Sequence, residues 1–330
     1  MNSQSLSKKQ NLSVTRPLTD SLLKKLFSTW ALVFIWLVMA LLASLVSPVF
    51  LTTTNLSNVL NQASILGILA CAQFLVVLIG GFDLSVAAIL ALSSVIFASL
   101  VPVSMGLGML ASCLAGSALG LLSGIAVTYG RVPPMIATLS VMGIARGFAF
   151  VVSEKSVAVP MESLNAFKFS FSVVSLPVVV WLVAALLLYW MLTSLRVGRN
   201  IYAIGGNERA SGLAGIAVNA HKLLVYSLAG CLSSVAGLAL VIRTSSGVPH
   251  VGQGWELDSI AAIVIGGARL FGGEGNILKA MMGVVIYQTI ANVMNLASLD
   301  PFYQDIVKAA VIITVVGATV MRGKHAQGAL

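Results

Sequence analysis

From Trp30 onward the chain is a succession of apolar runs divided by short polar or glycine-rich joints. A helix rises about 1.5 Å per residue, so roughly 17 to 25 apolar residues cross about 30 Å of hydrocarbon. Ten runs meet this standard, near Trp30 to Ser47, Leu56 to Ile79, Leu84 to Leu100, Met105 to Tyr129, Met135 to Ser153, Val173 to Thr193, Leu223 to Ile242, Leu257 to Leu270, Ile277 to Ala297 and Asp305 to Met321. Charged residues make up 9% of the chain against 58% hydrophobic, at a mean hydropathy of +1.00, whereas soluble domains carry about 25% charged residues. The fold class expected is an all-α integral membrane protein of about ten transmembrane helices. The eighth run is short and glycine-rich, which predicts a broken or re-entrant segment near 257–276; such backbone persists in a membrane only beside protein or water.

The spans leave no stretch for a separate soluble core. One membrane domain is expected over 30–322, flanked by tails at 1–29 and 323–330. The first span is longer than the roughly 7 to 15 apolar residues of a signal-peptide core and reads as a retained anchor. With the N-terminus placed in the cytoplasm, the cytoplasmic segments hold thirteen Lys and Arg, including Lys8, Lys9, Arg16, Arg131, Arg209 and Lys222. The opposite side holds three, Lys155, Lys168 and Arg243. This asymmetry puts both termini in the cytoplasm, and it accounts for the net charge of +9 through a basic rim facing membrane lipid, with no nucleic acid as a partner. Cys71, Cys113 and Cys231 all fall inside spans, where thiols act as small apolar groups.

Several chemistries lack their residues. No GxxxxGK[ST] loop is present to cradle a nucleotide, and LFGGEG at 270–275 is expected to be a turn between spans eight and nine. The three histidines, His221, His250 and His325, are scattered over separate loops. No metal site, catalytic set or bound cofactor is expected, and uphill transport would draw on a partner or an ion gradient.

Polar residues inside the spans carry the remaining information. Gly108, Ser112, Gly116, Gly120 and Gly124 put a small residue at every fourth position of span four, a ladder that lets helix backbones approach closely. Asp83, in GGFDLS at 80–85, lies between two apolar runs; a carboxylate at mid-membrane costs roughly 2.5 to 3.5 kcal/mol on insertion scales. Gly80 and Gly81 offer a helix break there. Asp83 with Ser85 is either the cap of the next helix or a polar group beside a translocation path. Arg146 either snorkels or pairs within the chain, or it meets substrate. Gln73, Gln288, Asn292 and Asn295 add amides, the last two expected on one helix face; they either hold helices together or bind sugar hydroxyls.

The most polar internal stretch runs from 194 to 222. Asn207 and Glu208 can start a short helix there, ending near Gly212 or Gly215. Four ordered segments, GGFDLSVAAILALSSV at 80–95, RVPPMIATLSVMGIARG at 131–147, GRNIYAIGGNERASGLAGI at 198–216 and ELDSIAAIVIGGARLFGGEGNILKAMMG at 256–283, resemble the permease subunits of bacterial ribose-type sugar ABC importers. The resemblance covers about residues 30 to 322. It implies an inner-membrane permease that pairs with a second copy or paralogue and docks a cytoplasmic ATPase pair, which consumes the ATP and Mg, and a periplasmic sugar-binding protein. It also implies that the helix bearing Asn207, Glu208, Arg209, Gly212, Leu213 and Gly215 fits a groove on the ATPase. The outer loop carrying Glu154, Lys155, Glu162 and Lys168 becomes the candidate docking surface for the binding protein, and alternating access the mechanism. An ion-gradient-driven secondary transporter would need a charged relay, for which Asp83 and Arg146 are the main intramembrane groups; a membrane-embedded enzyme lacks a recognisable catalytic set.

Overall fold

A computed structural model describes residues 18–167, 170–171 and 174–327; Lys8, Lys9, Arg16, Lys168 and the last residues of the expected C-terminal tail lie outside them. The axis of the fold is α2 (Thr53–Leu78). Thr52 opens it as N-cap, its Oγ1 accepting the Asn55 N–H at 3.3 Å. Every residue from Ala63 to Leu78 is buried, as a helix apolar on all sides requires. Gly80, at φ +76°, ends its run, and after a seven-residue break the short α3 (Val86–Leu100) begins, also largely buried. These two helices form the centre of the molecule.

Eight helices wrap them. The shell comprises α1 (Leu18–Val46), α4 (Met105–Thr128), α5 (Pro134–Val152), α6 (Leu176–Ser194), α9 (Val218–Thr244), α10 (Trp255–Ile265), α11 (Ile277–Leu296) and α12 (Pro301–Gln327). Between α6 and α9 lie α7 (Arg196–Gly206) and α8 (Glu208–Leu213). Among the described residues six helices, α2, α4, α5, α6, α9 and α11, are long and apolar enough to cross a membrane, and Trp30–Val46 and α3 are shorter apolar helices. The expected eighth span is an α-helix of only 11 residues, α10, followed by a turn-rich connection from 266 to 276. At about 1.5 Å per residue it is roughly 16 Å long, about half of a bilayer core.

The glycine ladder of α4 packs within the chain, against α9. A methyl group on Gly116 would overlap the Gly230 carbonyl, one on Gly120 the Tyr226 carbonyl, and one on Gly124 would reach within 3.3 Å of the Leu223 Cα. Gly230 answers from the other side, because its own methyl would strike the Gly116 carbonyl. Side-chain hydrogen bonds pin other crossings. Ser93 Oγ donates to Ser234 Oγ at 2.7 Å between α3 and α9, and Trp36 Nε1 to Thr289 Oγ1 at 3.1 Å between α1 and α11. Cys71, Cys113 and Cys231 are free thiols.

Two small ladders depart from the purely helical expectation. Strand β1 (Val157–Ala158) pairs antiparallel with β4 (Ser246–Gly247), and β2 (Ser170–Phe171) with β3 (Val174–Ser175). The first pairing ties the α5–α6 loop to the α9–α10 connector. Val159 and Leu164 of that loop plug into an apolar cluster with Phe97, Val101, Leu238 and Val241.

Candidate functional site

Three backbone segments meet where α2 ends. Gly273 N–H donates to the Leu78 carbonyl at 2.9 Å, and the Tyr202 hydroxyl of α7 donates to the Gly275 carbonyl at 2.9 Å. The fit admits no side chains. A methyl on Gly205 would overlap the Leu78 carbonyl oxygen, one on Gly272 would lie 2.7 Å from the Gly80 nitrogen, and one on Gly273 2.7 Å from the Gly206 nitrogen. Gly272 and Gly273 also hold φ of +85° and +74°, the left-handed region that favours glycine. The end of α2, the end of α7 and the connection before α11 are therefore packed backbone to backbone as one joint.

Helix α8 hangs from this joint. Its N-cap is Asn207, whose Oδ1 accepts the Ala210 N–H at 2.9 Å. The helix ends at Leu213, with Gly215 at φ +84° turning the chain into α9. Glu208 bonds Lys222 of α9 at 2.6 Å. Leu213, the last residue of α8, is an apolar side chain 85% exposed. Helix α7 went unforeseen in the sequence reading, although Val197, Ile201 and Ile204 recur at helical spacing and pack on the core. Glycines at 198, 205 and 206 masked that pattern by suggesting a loop.

The break between α2 and α3 lies directly above. Asp83 is fully buried. Its Oδ1 accepts both the Ser85 N–H at 2.8 Å and the Ser85 hydroxyl at 2.5 Å, whereas Oδ2 has no partner. This corrects the capping expectation in one respect. Ser85 occupies the N-cap position of α3 but makes no side-chain cap, because its backbone, at φ −83° and ψ −15°, is already helical rather than in the extended region typical of a capping residue. Thr138 of α5 donates to the Phe82 carbonyl at 3.3 Å. The Tyr226 hydroxyl, also buried and without a partner, lies 2.7 Å from where a Gly81 methyl would stand. A cavity of about 270 Å³ opens beneath, lined by Gly80, Gly81, Arg131, Glu208, Lys222 and Tyr226.

A second cavity, of about 370 Å³, lies at the opposite end of the helices. Gln62 of α2, Arg243 of α9, Trp255 and Asp258 of α10, Gln288 and Asn295 of α11 and Lys308 of α12 contribute to its wall. Gln288 Nε2 donates to Gln62 Oε1 at 2.8 Å, the Tyr287 hydroxyl to Asp258 Oδ1 at 2.5 Å, and Gln304 Nε2 to Asn295 Oδ1 at 2.9 Å. The expected shared face of Asn292 and Asn295 is not what packing selects. Asn292 is buried and exchanges amide hydrogen bonds of 2.9 and 3.0 Å with Asn55, whereas Asn295 turns to the cavity. Gln73 is fully buried among apolar neighbours of α2, with neither amide atom partnered, and lines neither cavity.

Arg146 belongs to neither cavity wall. Its Nη1 donates to the carbonyls of Pro249 and Val251, both at 2.9 Å, clamping the α9–α10 connector. The same connector carries β4, so the α5–α6 loop, the clamp and α10 form one unit. In that loop Glu154, Lys155 and Glu162 are exposed.

Comparison with known proteins places these features. Residues 55–316 match the family model described as the permease component of branched-chain amino acid transport systems. The chain is 42% identical to the ribose import permease protein of Escherichia coli (strain K12), over 85% of this chain and 90% of the relative. It is 38% identical to the ribose import permease protein of Bacillus subtilis (strain 168), over 84% and 88%, and 33% identical to the D-allose transport system permease protein of E. coli K12, over 93% and 95%. No solved structure matches. Since the family model extends from α2 into α12 and the relatives match over more than four-fifths of the chain, the chain is a multi-pass membrane protein belonging to the family of ribose-type ABC importer permeases.

Proposed function

We propose that this chain is the membrane subunit of an ATP-driven importer, passing a monosaccharide or similar polyol from a periplasmic binding protein to the cytoplasm by alternating access. The observation that carries the reading is the glycine joint. It couples α8, the segment available to a cytoplasmic ATPase, to the backbone break at Gly80, Gly81 and Asp83 between the two central helices. A push on Asn207, Glu208, Arg209 or Leu213 passes through Gly205 to the end of α2 with no flexible side chain between. ATP and Mg act in the partner subunit, which this chain contacts only through α8 and its surroundings.

The remaining features fit the same cycle. Alternating access requires an approach from each side and a closed layer between, and the two cavities lie at opposite ends of the buried middle of α2 and α3. Helices α1, α3 and α12, and the short α10 together with its turn-rich connection, complete ten crossings, so both termini and α8 face the cytoplasm, where most Lys and Arg lie. The loop bearing Glu154, Lys155 and Glu162 then faces the binding protein, and Lys168 follows it in sequence. A second permease copy or paralogue covers part of the exposed apolar surface, membrane lipid the rest. Binding protein and ATPase shift the equilibrium between the two open states only through different affinities for each. The relatives named for ribose and D-allose import point to the substrate class.

Uptake of a panel of labelled monosaccharides, in cells with and without the chain, tests the proposal. Loss of uptake on ATP depletion, with the proton gradient maintained, is expected. Loss only on gradient collapse would replace it with a secondary transporter and make Asp83 the first residue to examine.

A further inference from the structure

The cavity at the far end from α8 lies inside one chain, enclosed by α2, α9, α10, α11 and α12. At about 370 Å³ it falls in the lower part of the roughly 300–1,000 Å³ typical of small-molecule sites. Its floor is made by Leu66, Tyr287 and Gln288, all at least nine-tenths buried, and its mouth by the exposed Arg243 and Asn295. The hydrogen-bonding capacity of the wall is only partly used. Gln288 Nε2 is spent on Gln62 Oε1, which leaves the Gln62 amide N–H groups and the Gln288 carbonyl without a protein partner among the described residues. Likewise Asn295 accepts from Gln304 and keeps its own donors, and Asp258 accepts from Tyr287 through one oxygen only. Free donors and free acceptors thus share one cavity wall with a half-buried indole, Trp255.

With Lys308 of the wall paired to Asp305 and Asp258 bonded by Tyr287, the free amides and the indole suit a polyhydroxylated ligand. A hydroxyl both donates and accepts, and vicinal hydroxyls present such pairs along one edge of a sugar ring, while the ring's C–H face is apolar and suits an aromatic plane. The apolar side chain of a branched amino acid would leave the Gln62 and Gln288 amides desolvated and unpaired, at a penalty in affinity. We propose that this cavity is a neutral monosaccharide site contained within each permease chain, with Gln62, Gln288 and Asn295 reading hydroxyls and Trp255 packing on the ring. The proposal rests on the sugar-import reading and adds a binding site to it. Each subunit of a permease pair would hold its own sugar before release into the path.

The test places a thiol at Ala291, which lines the cavity without taking part in the hydrogen bonds. In the full transporter, with Cys113 and Cys231 replaced by Ser, Ala291→Cys is labelled with a membrane-impermeant methanethiosulfonate from the outside. Ribose, D-allose and L-arabinose are the probes, with leucine and sucrose as controls. Labelling slowed several-fold by a monosaccharide that the transporter imports, and not by the controls, is expected; adding Gln288→Leu or Trp255→Phe should abolish the protection. Three results overturn the site: no labelling, protection by leucine alone, or labelling unaffected by a sugar that is imported. In the last case the transport function stands and only the site falls. If none of the sugars is imported, the function itself fails, whatever the labelling shows.

Discussion

Gly205→Ala is the sharpest probe of the joint between α7 and α2. The added methyl would overlap the Leu78 carbonyl oxygen and lie 2.9 Å from its carbon. Both are backbone atoms, so relief requires moving α7 bodily rather than turning a side chain. Overpacking of this kind costs about 1–3 kcal/mol. Displacement of the loop also strains the 2.9 Å Gly273 N–H to Leu78 O bond, worth about 0.5–1.5 kcal/mol. Alanine returns about 1 kcal/mol through helix propensity, leaving a net destabilisation of about 0.5–3.5 kcal/mol. The adjacent Gly206→Ala is the matched control, because its methyl would meet nothing within 4 Å. Both variants would be purified with their partner subunits, and the melting temperature of the permease and the sugar imported per ATP hydrolysed compared. Gly205→Ala should melt lower and import less per ATP, while Gly206→Ala behaves as the parent. Equal behaviour of the two would refute the joint as a rigid coupling element.

Three further outcomes follow from particular contacts. Glu208→Arg should set two cations together at Lys222, now 2.6 Å from the carboxylate, and uncouple ATP hydrolysis from uptake with the chain still in the membrane; adding Lys222→Glu should restore coupling, and normal uptake by the single variant would refute the assignment. Asn292→Leu should cost about 1–2 kcal/mol of stability, read as a lower melting temperature, since it leaves the buried Asn55 Oδ1 without its donor while Nδ2 keeps the Phe50 carbonyl; the Asn55→Leu, Asn292→Leu double variant should recover part of the loss, and a simple sum of the two losses would contradict the paired reading. Arg146→Met removes two hydrogen bonds to connector carbonyls, each worth about 1.5–3 kcal/mol when the donor is charged, so initial uptake should fall at least about tenfold at equal membrane level. Unchanged uptake would show that the clamp is dispensable.

Much of this molecule was readable in the chain because lipid imposes simple rules. Apolar length, the Gly80–Gly81 break, the α4 glycine ladder, the Asn207 start of α8 and the four ordered motifs each depend on local sequence, and each is present as helix, turn or packing face. Local pattern could not say what faces what. That Asn292 turns to Asn55 while Asn295 turns to a cavity depends on where α2 and α12 lie against α11. That Arg146 clamps the Pro249 and Val251 carbonyls, rather than snorkelling, depends on a connector about a hundred residues away in sequence. Helix α7 was hidden because its glycines suggest a loop in isolation, yet the same glycines are what allow it to press on Leu78 and Gly273. Sequence by itself determined a membrane-embedded helical chain with one long polar internal segment, since hydropathy and charge act residue by residue. Only tertiary structure decided which polar groups are spent on one another and which stay free to meet a ligand, because hydrogen-bond pairing between distant helices is a property of their packing.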